Sequence, residues 1–244
     1  GSNSSITAEY ARSMNNTGAG SQIAGNAIRV EGQFKLSDST TGRTYYRSTE
    51  AGFANNATTS FVPGQKRYGA DISTKLGDRT TVKVQIDREE NRGAPPLVNG
   101  NIVNLLTPVN PATGLVDNDL STISAGIQQR IGMTTLDVDY VNRRRQDRLA
   151  LNPTQTDVSS SQIRSRFSYP LTNTLAVRAQ NETNLSNQQD VVYPNRSAVG
   201  IDWTVYPGIK LGVSQNYISS TQYSDTNYTS FDFDSSYNLT PSTK

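Results

Sequence analysis

The chain has 244 residues, of which 34% are hydrophobic and 18% are charged, and 23 basic against 21 acidic side chains leave a net charge of only +2. That balance gives no nucleic-acid footprint, and because no run of about 18 apolar residues occurs, helical membrane spanning is excluded. The apolar content is too low for a thick soluble core, yet β-branched and aromatic residues are too frequent for disorder.

The first third of the chain contains alternating segments. Gly1 and Ser2 are typical of a cloning remnant, and residues 4 to 10 are a candidate first strand. In residues 28 to 36, apolar side chains alternate with charged and amide ones, which predicts a β-strand. Residues 43 to 50 indicate a poorer strand whose facing the pattern does not assign.

The clearest strand pair follows. In residues 67 to 77 an apolar set alternates strictly with a polar set, Gly77 and Asp78 form a tight turn, and residues 82 to 87 alternate on the way back. The sequence therefore predicts roughly twelve antiparallel strands of about ten residues, the length of a tilted transmembrane β-strand. Similar alternating segments separated by turns occupy residues 123 to 140, 162 to 180 and 199 to 214, and a last one occupies residues 231 to 239.

The connections between these segments are of two lengths. An outer-membrane β-barrel has this asymmetry, with short periplasmic turns and long extracellular loops, so we expect an all-β, up-and-down transmembrane barrel as one domain over residues 1 to 244. Short turns are predicted at residues 37 to 42, 77 to 79, 132 to 134, 170 to 173 and 206 to 209. Long polar links are predicted at residues 11 to 24, 53 to 66, 89 to 121 (the longest), 144 to 160, 183 to 196 and 219 to 229.

Tyrosines lie near both ends of the predicted strands, with mostly aliphatic residues between them. Two aromatic girdles around an aliphatic band are what a bilayer selects, because amphipathic rings settle at its two interfaces. Soluble sandwiches also have loops of unequal length, so loop length alone does not decide between the two folds. The placement of the tyrosines favours a membrane barrel over a soluble sandwich. The girdle at the long-loop ends comprises Tyr10, Tyr68, Tyr140 and Tyr217, and the girdle at the short-turn ends comprises Tyr169, Tyr206 and Tyr237.

The paired segments Tyr68 to Asp87 and Ile123 to Tyr140 resemble those of large, porin-like bacterial outer-membrane β-barrels. The resemblance implies residence in the outer membrane, an even strand count, periplasmic termini and a last strand ending in Phe or Trp. This chain instead ends Tyr237-Asn-Leu-Thr-Pro-Ser-Thr-Lys244. We therefore expect a segment of a larger barrel, divided at turns on the periplasmic side.

The polar positions of the alternating strands define the candidate functional surface. Charges of both signs would either line a water-filled path that sorts small solutes or form neutralised pairs that fill the interior. Both alternatives stay open because a barrel of twelve strands lies between the small barrels that side chains fill and the large ones that enclose a channel. The candidate lumen-lining residues are Arg29, Glu31, Lys35, Asp71, Lys75, Lys83, Asp87, Arg130, Asp137, Asp139, Arg164, Arg166, Arg178, Asp202, Lys210, Asp232 and Asp234.

Two further features are candidates for binding or gating. Arg143, Arg144, Arg145 and Arg148 form a basic cluster near the outer interface, where guanidinium groups suit lipopolysaccharide phosphates; a solvated charge run is the alternative. The apolar content of residues 89 to 121 suits either an inward-folded constriction or a segment packed across the barrel mouth.

The absent residue types limit the chemistry. The chain has no cysteine and no histidine, which removes disulfides, thiolate metal sites and the usual general base near neutral pH. The carboxylate pairs Asp137/Asp139 and Asp232/Asp234 each lie on one strand face, and charged wall residues explain them better than a glycosidase pair does. We expect no enzymatic activity, no metal and no cofactor.

The expected function is therefore a passive pore, or the wall of a transport barrel, for small polar solutes or ions. The alternative is a structural or adhesive surface-display barrel with a filled lumen. The expected partners are the lipid bilayer, lipopolysaccharide and the permeating solute, with no nucleic acid, and the sequence sets no oligomeric state.

Overall fold

The structure of the chain, a computed structural model, describes residues 4–16, 22–53, 63–93, 115–151, 153–186, 193–219 and 225–235. Over these ranges the chain forms twelve β-strands and a single turn of 3-10 helix at Pro153–Gln155. Within them, no helix is long and apolar enough to cross a membrane.

The strands are long, and most exceed the ten residues that the alternation predicts. They are β1 (Ser5–Asn16), β2 (Gln22–Lys35), β3 (Thr40–Thr49), β4 (Gln65–Leu76), β5 (Thr80–Gly93), β6 (Val116–Ile131), β7 (Thr134–Asp147), β8 (Asp157–Pro170), β9 (Leu175–Asn184), β10 (Asn195–Tyr206), β11 (Ile209–Ser219) and β12 (Thr226–Ser235).

Each strand pairs with the next one along the chain, so all twelve form one sheet in sequence order. Every pairing is antiparallel. The predicted up-and-down order and the predicted number of strands are therefore confirmed. β1 and β12 are the two ends of the sheet, and in the described ranges they are not paired with one another.

The links at one end of the sheet are shorter than the sequence predicts. β5 continues to Gly93 and β6 begins at Val116, inside the predicted link 89 to 121, and β7 and β8 likewise extend into the predicted link 144 to 160. These extensions were missed because polar and charged side chains occupy the face that is apolar elsewhere, so the apolar alternation stops while the backbone pairing continues. Residues 94–114, which include the candidate constriction, lie outside the described residues.

The short turns agree closely with the prediction except at residues 37 to 42, where β3 already begins at Thr40. Residues 77–79 connect β4 to β5, residues 132–133 connect β6 to β7, and residues 207–208 connect β10 to β11. Gly77 and Gly132 have φ angles of 76° and 61°, a left-handed conformation that glycine adopts without steric cost. These turns all lie at the same end of the sheet.

The apolar side chains form one face of this single sheet. Ile72, Val84 and Trp203 are 44–48% exposed, and the described residues form no second sheet that covers them. A soluble sandwich would bury such side chains between two sheets. The apolar face is therefore open to its surroundings along the length of the sheet.

Candidate functional site

All of the candidate lumen-lining residues lie on the opposite, polar face of the sheet. Cross-strand register fixes this assignment, because directly paired residues point to the same side. Gln128 pairs with Asp137, Asp137 with Arg166, and Arg166 with Gln180, and the same chain of pairs connects every strand. The candidate residues therefore share one face of the sheet, and their role in lining a lumen stays a prediction.

The polar face also carries charged residues that the sequence analysis missed. Arg47 of β3 lies directly opposite Arg29 on one side and Arg67 on the other. Like charges placed directly opposite destabilise a sheet, but the carboxylate of Glu31 lies 3.1 Å from Arg29 and 3.7 Å from Arg47. β3 has no apolar alternation, so only pairing with β2 could have shown that Arg47 shares this face.

Side chains on the polar face reach across glycines to strands that are not their neighbours. The Tyr45 hydroxyl of β3 donates to the Asp87 carboxylate of β5, across Gly69 of β4. A Cβ atom on Gly69 would lie 2.9 Å from the Tyr45 hydroxyl oxygen. The missing side chain thus leaves the space through which Tyr45 joins β3 to β5.

Similar contacts occur farther along the sheet. Lys83 of β5 lies 4.0 Å from Asp137 of β7, and Gly126 of β6 lies between these strands. Arg178 of β9 is 3.1 Å from Asp202 of β10 and 3.0 Å from Asp232 of β12. Side chains that join non-neighbouring strands on one face draw those strands together on that side, so we interpret the polar face as concave.

Two adjoining cavities follow the concave face over β7–β12. The larger, of about 480 Å³, lies near the short turns between Pro170 and Asp234, and the second, of about 330 Å³, extends toward Arg196 and Asn216. Arg178 and Asp202 line both cavities. This part of the concave face is therefore a groove with a guanidinium–carboxylate pair near its middle.

Near the long links the concave face is covered instead. Arg145 is only 3% exposed, and its guanidinium donates to Gln155, 3.0 Å away, and lies 3.1 Å from Asp147. The Arg143 guanidinium lies 4.1 Å from the ring centroid of Tyr193, and Gln162 donates to the Tyr193 carbonyl oxygen at 2.9 Å. Residues from the β7–β8 and β9–β10 links thus fold over the concave face.

The predicted basic cluster is divided between the two faces. Arg143 and Arg145 belong to the concave face, whereas Arg144 and Arg148 lie on the apolar side of the sheet. Arg144 donates to both carboxylate oxygens of Asp157, at 3.0 and 2.7 Å. Strand alternation extends through this segment, so four arginines that are close in sequence do not form one surface.

The tyrosines of the long-loop girdle share a direction. Tyr10 lies opposite Ile28 and donates to Asn26 at 2.8 Å. Tyr140 and Ser161 hydroxyls are 3.0 Å apart, and Tyr217 donates to Asp225 at 3.1 Å. In each case the residue that the hydroxyl contacts lies on the neighbouring strand, or directly before it in the case of Asp225, two positions closer to the long links than the residue directly opposite the tyrosine. The hydroxyls therefore point away from the aliphatic band.

The remaining girdle residues occupy both ends of the apolar face. Tyr68 stacks on Tyr46, a residue that the sequence analysis did not include, with ring centroids 6.5 Å apart. Tyr169 and Tyr206 are exposed near the short turns, and a register irregularity next to Tyr206 places it opposite Ile209. Tyr237 lies outside the described residues.

The chain is similar in structure to bacterial outer-membrane proteins. An alignment with the siderophore receptor PirA from Pseudomonas aeruginosa includes 97% of this chain and 47% of PirA, with a TM-score of 0.51 and 13% sequence identity. Weaker similarity extends to a loop-deleted form of OmpT, an outer membrane protein of Vibrio cholerae (TM-score 0.47, 9% identity, 95% of this chain and 99% of that one).

An anion-selective porin from Comamonas acidovorans also matches, with a TM-score of 0.41, 10% identity and coverage of 88% of this chain and 89% of that one. No protein-family model matches the chain, and no curated protein matches it. The antiparallel up-and-down sheet and the alignment with PirA confirm the predicted resemblance to outer-membrane β-barrels at the level of the fold.

We expect Gly69→Ala to lower the free energy of unfolding by about 1–3 kcal/mol, because the added methyl group would clash with the Ile86 carbonyl oxygen and crowd the Tyr45 hydroxyl that reaches Asp87. Urea unfolding in detergent micelles would measure this effect. Ser73→Ala, in the same strand and on the same face, is the matched control and should change stability by less than about 0.5 kcal/mol. Equal losses in the two variants would show that the space over Gly69 has no special role.

We expect Asp139→Asn to lower the free energy of unfolding by about 1.5–3 kcal/mol, the range for hydrogen bonds to charged groups. The buried Asp139 carboxylate accepts from Arg164 at 3.1 Å and from Arg166 at 2.6 Å. Asp234→Asn, at an exposed position on the same face, should have little effect in the same unfolding assay. A stable Asp139→Asn variant would contradict this assignment.

Proposed function

We propose that the chain forms the wall of an outer-membrane transport barrel and that its concave face borders a path for small polar solutes or ions. One observation carries the proposal: the same strands present an exposed apolar face, with tyrosine hydroxyls directed toward one end, and a charged concave face. An apolar exterior with aromatic residues at both interfaces suits a bilayer, and a charged interior suits an aqueous path.

The backbone of the sheet supports a barrel rather than an isolated sheet. Inside hydrocarbon, an unpaired N–H or C=O group costs several kcal/mol, so spanning strands form closed structures. β1 and β12 therefore need partners, which are either each other or further strands of a wider barrel. The alignment with about half of a larger receptor supports the second arrangement, in which this chain is an arc of the wall.

The groove beside Arg178 is the part of the concave face best suited to solute passage. It holds both signs of charge, with Arg178 and Lys210 facing Asp202 and Asp232. Fixed charges along a narrow aqueous path order the local field and discriminate between ions. The proposal includes no catalytic step and no cofactor.

Conductance in a planar lipid bilayer tests this proposal. The complete barrel to which this chain contributes should form channels, and Asp202→Asn should raise the chloride-to-potassium permeability ratio by about twofold or more, because the path loses one negative charge while Arg178 keeps its pair with Asp232. Asp157→Asn, on the apolar side of the sheet, is the control and should leave that ratio unchanged. Absence of any conductance from the complete barrel inserted in the bilayer would overturn the proposal.

A second candidate function is a filled, structural or surface-display barrel. The covered region around Arg143, Arg145 and Gln155 favours it, because buried, hydrogen-bonded residues there leave no groove like the one beside Arg178. A display barrel would use the long links for contact and would conduct no ions.

Releasing this covered region distinguishes the two candidates. Arg145→Ala removes the contact with Gln155, so a transport wall should show a higher single-channel conductance in the same bilayer assay. Arg130→Ala, on the same face but near the short turns, controls for the loss of one positive charge. A filled barrel would give no conductance in either variant.

A further inference from the structure

A group of charged side chains lies on the apolar side of the sheet, from the level of Tyr68 toward the long links. It lies on β4–β8 and in the residue that follows β7, where the strands run past the aliphatic band. We call this group the outer charge lattice: Lys66, Arg88, Glu90, Arg92, Asp117, Asp119, Arg144, Arg148 and Asp157.

Part of the lattice is tightly paired. Asp119 accepts from Arg92 at 2.8 Å and from Arg148 at 2.7 Å, while Asp117 lies 3.0 Å from Arg92 and 2.9 Å from Arg148. Two carboxylates and two guanidinium groups thus satisfy one another. The separate Arg144–Asp157 pair is also bidentate.

The rest of the lattice has more positive than negative charge. Arg88 lies 3.7 Å from Glu90 and 3.9 Å from Asp119, a carboxylate that the tight pairs already use. Lys66 forms no ion pair among the described residues; its ammonium lies 5.5 Å from the ring centroid of Tyr68 and 6.0 Å from that of Tyr46. Glu90, the cross-strand partner of Lys66, is therefore the one carboxylate of the lattice beside these two cations that the tight pairs do not use.

The position of these two cations relative to the tyrosines sets their depth. Arg88 is the direct cross-strand partner of Tyr68, and Lys66 precedes Tyr68 by two residues on the same face. Interfacial tyrosines mark the level of lipid headgroups. A lipid beside β4 and β5 would thus present its phosphate to Lys66 and Arg88. The stacked rings of Tyr46 and Tyr68 would contact the start of the lipid's apolar part.

We infer that Lys66 and Arg88 bind the phosphate of an outer-leaflet lipid, with Tyr46 and Tyr68 forming the floor of the site. This inference depends on the proposed placement in the membrane but not on transport. A guanidinium group matches two phosphate oxygens at once, and the ammonium adds a point charge. The phosphate supplies the negative charge that this part of the lattice lacks.

Native mass spectrometry of the chain in detergent micelles tests the inference, with lipid A and dephosphorylated lipid A as matched probes. We expect the chain to retain lipid A in preference to the dephosphorylated form. The double variant Lys66→Gln/Arg88→Gln should bind lipid A about tenfold more weakly, because it loses charge-assisted hydrogen bonds to phosphate. The matched control Lys83→Gln/Arg130→Gln removes two positive charges from the concave face and should bind lipid A as the unaltered chain does.

A charge-retaining variant, Lys66→Arg/Arg88→Lys, covers the case in which the double variant fails to fold, and it should keep the preference for phosphorylated lipid. Equal retention of the two lipids, or an equal loss in the concave control, would overturn the inference. Thermal stabilisation by inorganic phosphate equal to that by lipid A would also overturn it, because a free-phosphate site would then explain the lattice.

These outcomes are separable from those for transport. Loss of conductance with lipid A binding intact overturns only the transport proposal. A chain that remains monomeric in buffer without detergent overturns both.

Discussion

The structure depends on the two-residue period of the β-strand, applied across twelve paired strands. Because successive side chains point to opposite sides, one continuous ladder of backbone hydrogen bonds separates an apolar surface from a charged one. A shift of one residue in any pairing would exchange the two surfaces locally. The observed register keeps Arg166 beside Asp137 and Ile163 beside Tyr140, each pair on its own face.

Side chains on the charged face join strands that are not neighbours. Tyr45 joins β3 to β5 across Gly69, and Arg178 joins β9 to β12. The groove lies beside Arg178. Toward the long links, Gln155 and Tyr193 cover the same face through Arg145 and Arg143. The concave surface therefore has an open part and a covered part.

Alternation of hydrophobicity predicts strands well only where one face contacts an apolar medium. Between Thr80 and Asp87 the pattern is clear, and the strand and its facing were predicted correctly. From Arg88 to Gly93 both faces are polar, so the pattern disappears although pairing with β6 continues. For the same reason the arginines from Arg143 to Arg148 read as one cluster in sequence, whereas alternation divides them between a buried network and an exposed lattice.

The sequence by itself determined the strand class, the number of strands, the short turns and the face of each predicted charged residue. These follow from local periodicity and from the turn preferences of glycine. Only the tertiary structure decided which charges meet, because Arg178 and Asp232 are 54 residues apart and their contact depends on the register and curvature of four strands. It also decided that links fold over the concave face, since Tyr193 reaches Arg143 only when β8 lies between β7 and β9.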